Sequence, residues 1–216
     1  MRLLDLGRRP YRETLALMRE IHGAVARGET DDTLIVVEHE PVITLGRNAK
    51  MEHVRFSAEA LALRGIDLVE IERGGDATYH GPGQLVVYPI RKLERFREVA
   101  PLVSSLERSV VATLATFGIT ARGRNEHRGV YVAENAICAI GLAVKQMTSL
   151  HGLALNVSTA LDYDRLITPC GTAEFGITSM THELGCDVAL ADARDALLAA
   201  FEIEFSVRFE REAAPC

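Results

Sequence analysis

Two periods of apolar spacing divide the chain. Between Tyr11 and Arg27, Leu15, Met18, Ile21, His22 and Val25 recur three or four residues apart, the spacing of one buried helix face. "TLIVVEH" at 33–39 is β-branched and bounded by Asp31-Asp32 and Pro41, which predicts a strand. A short helix is expected over 57–64, capped by Ser57 and stopped by Gly65. Strands are expected at 67–73 and 84–90. A second long helix carries Val99, Leu102, Val103, Leu106, Val110, Leu114 and Phe117 and closes at Gly118. Residues 129–145 predict a hairpin turning at Glu134-Asn135, and 151–158 a further strand. A helix from about Leu190 to Phe201 and a last strand over 202–210 complete the pattern.

Strands outnumber helices and come in consecutive runs. That order predicts an α+β fold (an α/β single domain), with a mixed β-sheet flanked by helices. No internal repeat, low-complexity tract or linker interrupts residues 1–216, so one domain is expected.

Composition narrows the classes. The chain has 216 residues, 48% of them hydrophobic and 25% charged. No apolar run approaches the roughly 20 residues that span a bilayer, and the first 15 residues lack the apolar core of a signal peptide. No membrane association and a cytoplasmic location are therefore expected. A formal net charge of −6 argues against a nucleic-acid partner. Basic residues cluster at 91–97 and 121–128. These read first as a solvated helix face and a loop, and second as a docking patch for an acidic partner. Cys138, Cys170, Cys186 and Cys216 form no Cys-x-x-Cys pair, so neither a zinc site nor thioredoxin-like chemistry is expected.

Four stretches hold candidate chemistry. "ERGGDATYHGPGQLVVYP" has Gly74, Gly75, Gly81 and Gly83 within ten residues between two strands. Glycine lets a ligand approach the backbone, and Arg73, Thr78, Tyr79 and His80 supply donors and an aromatic wall, so a binding loop is expected. It fits neither the dinucleotide nor the P-loop fingerprint. In "AICAIGLAV", Gly141 interrupts a strand, which marks a bulge or close approach. "HGLALNV" reads as a core strand with His151 satisfied at one end. "PCG" at 169–171 holds Cys170 on a turn, where a thiol becomes a nucleophile only if a neighbouring cation or base favours its thiolate.

Together these stretches resemble the octanoyltransferase family, also called lipoate–protein ligase B. Its loop pattern, Arg-Gly-Gly-x-x-Thr-aromatic-His-x-x-Gly-Gln-x-aliphatic-x-Tyr, is met from Arg73 to Tyr88. Its later pattern is met by Ile140-Gly141, by 151–156 and by 169–171, so the resemblance spans essentially the whole chain. It implies a fold similar to biotin and lipoate ligase catalytic domains. It also implies transfer of octanoyl, or lipoyl, from octanoyl-acyl carrier protein to a lysine amine, without ATP or another cofactor. The implied acceptors are the lipoyl domains of 2-oxoacid dehydrogenase complexes and the glycine cleavage H protein. Cys170 would carry the acyl group as a thioester. The pocket would be lined by Arg73, Gly74, Gly75, Asp76, Ala77, Thr78, Tyr79 and His80, by Ala139, Ile140 and Gly141, and by Gly152, Leu153 and Ala154. The family's catalytic lysine falls five residues before Gly141, where this chain has Ala136. With everything around it intact, Ala136 reads as an introduced alanine in preference to a natural variant, and reduced activity is expected. The competing readings are an ATP-dependent lipoate or octanoate ligase on the same fold, and a non-catalytic acyl- or lipoyl-domain-binding protein.

Overall fold

The computed structural model describes residues 1–124, 128–168 and 175–212. In chain order these form β1 (Arg2–Arg9), α1 (Tyr11–Arg27), β2 (Thr33–His39), β3 (Val42–Leu45), α2 (Ala58–Ala62), β4 (Asp67–Glu70), β5 (Ala77–His80) and β6 (Gln84–Ile90). They continue with α3 (Val99–Thr116), β7 (Arg122–Gly123), β8 (Gly129–Val132), β9 (Asn135–Lys145), β10 (Thr148–Asn156), α4 (Met180–Leu184), α5 (Leu190–Phe205) and β11 (Glu210–Glu212).

Eight strands make one mixed sheet in the order β11-β1-β2-β6-β10-β9-β8-β7, and β4-β3-β5 make a smaller one. β1 runs parallel to β2 and β11, while β2, β6, β10 and β9 pair antiparallel. The expected mixed sheet with flanking helices is thus present. One face packs on α1 through Leu15, Met18, Ile21 and Val25. The other packs on α3 and α5 through Leu106, Val110, Leu114, Leu197 and Phe201. Each such side chain contributes roughly 1.5–3 kcal/mol on burial, so the two layers fix the central strands from both sides. Among the described residues, no helix is long and apolar enough to cross a membrane.

Local signals explain several boundaries. Gly28 ends α1 in the left-handed region at φ 74°, its N–H donating to the Val25 carbonyl. Ser57 Oγ accepts the Ala60 N–H, as expected of an N-cap. Other expectations fail. Of the expected strand over 202–210, residues 202–205 continue α5 and only Glu210 is in a strand; Phe201 and Phe205 stack at 4.0 Å and Phe209 lies 5.7 Å from Phe201. Spacing of four, not the local alternation, was the correct period. The hairpin turns one residue earlier, at Ala133-Glu134, since Val132 pairs with Asn135. The strand expected over 67–73 ends at Glu70, and residues 77–80 of the presumed loop form a strand. The strand expected from His151 begins at Thr148. β1 and β3 were not foreseen, although Leu3, Leu4, Leu6, Val42, Ile43 and Leu45 are buried.

Candidate active site

The loop leading from β4 to β5 folds over the edge of β9. β8 pairs with β9 only as far as Ala139, so the edge beyond is open, and Gly74 N–H donates to the Leu142 carbonyl there at 3.0 Å. Arg73 is buried and holds the loop from inside. Its Nη2 donates to both the carbonyl and Oγ1 of Thr44 at 2.9 Å, and Nη1 to the Gly74 carbonyl at 3.0 Å. Gly75 makes the turn at φ 88°, a region that side chains rarely adopt.

Under this loop, register places Ala139 opposite Ala154 and Gly141 opposite Gly152 on the α1 face of the sheet. Four small residues leave room where larger ones would fill the layer. The result is a cavity of about 450 Å³, within the range of small-molecule sites. Of the expected pocket residues, Arg73, Gly74, Gly75, Asp76, Ala77, Thr78, His80, Ala139, Ile140, Gly141, Gly152, Leu153 and Ala154 line it. Tyr79 does not: its ring stacks on Tyr163 at 4.8 Å. Tyr11, Asn48, Ile71, Tyr88, Val99, Val103, Arg128, Leu142 and His151 also line it, and sequence reasoning assigned none of them to the pocket. Most sit inside core-type patterns, so only the tertiary fold distinguishes them. Gly152 is required by close approach, since a Cβ there would lie 2.0 Å from the Val87 carbonyl oxygen. Gly152→Ala is expected to push β10 from β6 and cost about 1–3 kcal/mol, read as a lower urea midpoint. An unchanged midpoint would contradict that packing.

The exposed rim includes Asn48, Gly74, Gly75 and Ala139, whereas the floor is buried and polar. Tyr11, Tyr88, His80, Arg73 and His151 all lie there with little exposure. His80 Nδ1 bonds Gln84 Oε1 at 2.8 Å, Gln84 Nε2 donates to Asn156 Oδ1 at 2.9 Å, and Asn156 Nδ2 donates to the Thr178 carbonyl at 3.0 Å. Thr178 N–H in turn donates to the Ala136 carbonyl at 2.9 Å. One hydrogen-bonded line therefore ties the 73–80 loop, β10 and the start of β9 together.

Burial, the main cause, pushes the imidazole of His80 down to about 3 and that of His39 down to about 4. His39 Nε2 bonds Tyr88 Oη at 2.8 Å. Both rings are neutral when folded and take up a proton near 6.5 when unfolded, so the unfolded chain binds more protons below that pH. Their contribution to stability is complete above pH about 6.5 and is lost as pH falls toward the folded values. Unfolding free energy should drop between pH 6.5 and 4 with a slope of up to about 1.4 kcal/mol per pH unit for each ring. Urea titrations across that range test this, and His39→Gln should flatten the slope.

His151 departs from expectation. Instead of being satisfied in a core strand, it has φ 64° and is 2% exposed, and neither ring nitrogen makes a hydrogen bond. Its Nε2 lies 3.5 Å from Glu72 Oε2, and Glu72 is itself held by Arg19 at 3.0 Å and Lys145 at 3.2 Å. Burial lowers the His151 pKa, and hydrogen-bond attraction to the Glu72 carboxylate, together with its charge, opposes that. His151, Arg19 and Lys145 hold the Glu72 carboxyl well below the usual range.

Cys170 lies outside the described residues, as do Pro169, Gly171 and Cys216. Of the other cysteines, Cys138 is buried in β9 and burial pushes its thiol well up, whereas Cys186 is exposed. Ala136 is half-buried, its N–H donating to the Gly176 carbonyl at 2.8 Å, and it bridges to Ile177. Thr168 N–H donates to the His53 carbonyl at 2.8 Å, and His53 Nδ1 bonds Asp76 Oδ2 at 2.6 Å. The basic clusters are largely committed internally. Arg91 pairs with Asp32, Arg122 and Arg124 with Glu134, and Arg128 with Glu107. Residues 91–97 do not form the helix face expected of them.

The chain is similar to known proteins over nearly all its length. The family model of the lipoyl protein ligase A/B catalytic domain matches residues 10–202. An octanoyltransferase of Alkaliphilus metalliredigens is 42% identical, over 95% of each chain. One from Myxococcus xanthus is 45% identical over 91% of this chain, which spans 57% of that relative. Among solved structures, a lipoate-protein ligase A bound with ATP superposes with TM-score 0.81 at 22% identity, covering 99% of this chain and 89% of that one. The biotin protein ligase of Aquifex aeolicus gives TM-score 0.55 at 12% identity, covering 95% and 69%. These two likenesses establish the fold. The chain belongs to the lipoyl protein ligase A/B catalytic domain family and stands in it with the octanoyltransferases.

Proposed function

We propose that this chain moves an octanoyl group from acyl carrier protein to a lysine amine of a lipoyl domain in two steps through Cys170. The Cys170 thiolate attacks the thioester carbonyl and the carrier's thiol leaves. The lysine amine then attacks the new thioester, forming the amide and returning the thiol. Exchange between thioesters is nearly isoenergetic, and splitting the transfer lets two bulky proteins visit one site in turn. The observation that carries the reading is the cavity built from Ala139, Gly141, Gly152 and Ala154 under the 73–80 loop, which accepts a slender acyl chain.

The described neighbours of 169–174 support Cys170 as carrier. Thr168 is bonded to His53, whose ring holds Asp76 of the pocket, and Gly176 is bonded to Ala136 of β9. Acceptors would be the lipoyl domains of 2-oxoacid dehydrogenase complexes and the glycine cleavage H protein, met in the cytoplasm. A solved archaeal ligase similar in fold is described together with its E2 lipoyl domain. Ala136 offers a methyl where the family's lysine would hold a proton, so transfer in this chain is slow. Octanoyl carrier protein and a lipoyl domain, mixed without ATP, should give octanoyl-lysine. Octanoate-dependent pyrophosphate exchange with ATP would instead make the chain a ligase.

A further inference from the structure

Two short segments adjoin the cavity without lining it. From the loop cover, Asn48 lines the cavity, and from the start of α3, Val99 and Val103 do so. Arg47 precedes Asn48 in the chain, and Met51 follows it by three residues, a reach of at most about 10 Å. On the α3 side, a 3₁₀ turn at Phe96–Glu98 runs directly into Val99, which leaves Phe96 about 6 Å of helix rise from the lining. Met51 is 58% exposed and Phe96 71%, two of the four large hydrophobic side chains left in solvent among the described residues. Each stands among cations. Residues 47–51 and 95–97 carry Arg47, Lys50, Arg95 and Arg97 and no acid, in a chain of net charge −6. Arg47, Arg95 and Arg97 are exposed and make no ion pair among the described residues, and Lys50 has only the exposed Glu52 at 3.5 Å. Of the acids flanking Phe96, Glu98 accepts the Glu94 N–H at 3.1 Å. Arg91, Arg122 and Arg124, by contrast, spend their charge on Asp32 and Glu134.

We infer that Arg47 and Met51 beside the loop cover, with Arg95, Phe96 and Arg97 beside α3, form the docking surface for the acidic protein that delivers the acyl group. The inference rests on the acyl-transfer reading of the pocket. Aromatic residues, Met and Arg are the side chains enriched where proteins meet, and both segments combine them next to the cavity. Charge selects the donor over the acceptor. A lysine ammonium approaching four cations meets like charge, whereas an acidic donor with a neutral acyl thioester meets attraction. The arginines then act on encounter, and Met51 and Phe96 supply the apolar area that a docked donor covers.

Calorimetric titration of the full chain with octanoyl-acyl carrier protein at about 0.05 M salt, where exposed charges are weakly screened, tests this. Arg95→Glu/Arg97→Glu should weaken binding about tenfold or more, because two attractions become two repulsions. That difference should shrink toward about 0.5 M salt, whereas the loss in Phe96→Ser should persist there. Arg208→Glu/Arg211→Glu makes the same change of net charge near β11, at the other end of the sheet from β9. It should leave affinity within about twofold. A lipoyl domain titrated in parallel should lose no affinity for the 95/97 variant. Unchanged binding of the carrier protein by that variant, an equal loss in the 208/211 variant, or an equal loss for the lipoyl domain overturns the docking surface and leaves acyl transfer standing. No binding of the carrier protein by the unaltered chain removes the donor and its docking surface together.

Discussion

Ala136→Lys is expected to raise octanoyl transfer by at least about two decades with little change in fold. Ala136 is fixed by backbone hydrogen bonds to Gly176 and Thr178 and is only partly buried, so the substitution leaves the core layers of the sheet untouched. A thiol with a pKa near 8.5 is only about 3% thiolate at pH 7, and each unit of depression raises that fraction almost tenfold while it stays small. If position 136 neighbours Cys170, as the family pattern implies, a cation there would supply such a depression. The same amine, when neutral, would take the proton of the incoming lysine, a general-base contribution of roughly 10²–10⁴ in rate. Transfer rates measured side by side on the two chains decide the matter. Equal rates would mean that another base operates.

Cys170→Ser is expected to remove transfer altogether, because a serine hydroxyl without an adjacent base is a weak nucleophile. Cys138→Ala should keep the rate. Cys138 is enclosed in β9 and burial opposes its thiolate, so it is inert as a nucleophile. Loss in Cys170→Ser together with retention in Cys138→Ala ties capture to a single sulfur. Full transfer by Cys170→Ser would remove the thioester from the mechanism.

Much of the scaffold was legible because its signals are local. The apolar stripe of α1, the Ser57 cap and the β-branched run of β2 each need only a few neighbouring residues. The loop that lines the cavity was legible for the same reason: four glycines and four functional side chains within about a dozen residues. What failed depends on partners far along the chain. β1 is a strand because β2 and β11 flank it, and α5 runs on past Phe201, where Phe201 and Phe205 stack with Phe209 tilted against Phe201. Tyr11 only opens the helix stretch and Tyr88 only ends the loop pattern, and nothing local in either signals that α1 and β6 bring them together at the pocket floor. The orientation of His151 was hidden most deeply. Its place in "HGLALNV" gives strand parity, and only its backbone angle turns it to the opposite face.

Acyl capture by Cys170 can be read from the intact mass of the chain after mixing with octanoyl-acyl carrier protein in the absence of acceptor and ATP. A mass gain of one octanoyl group is expected, released by hydroxylamine and mapped to the peptide containing Cys170. Slow onward transfer from the Ala136 form should make that adduct accumulate. Octanoyl-lysine forming on a lipoyl domain with no adduct on Cys170 would rule out the thioester route.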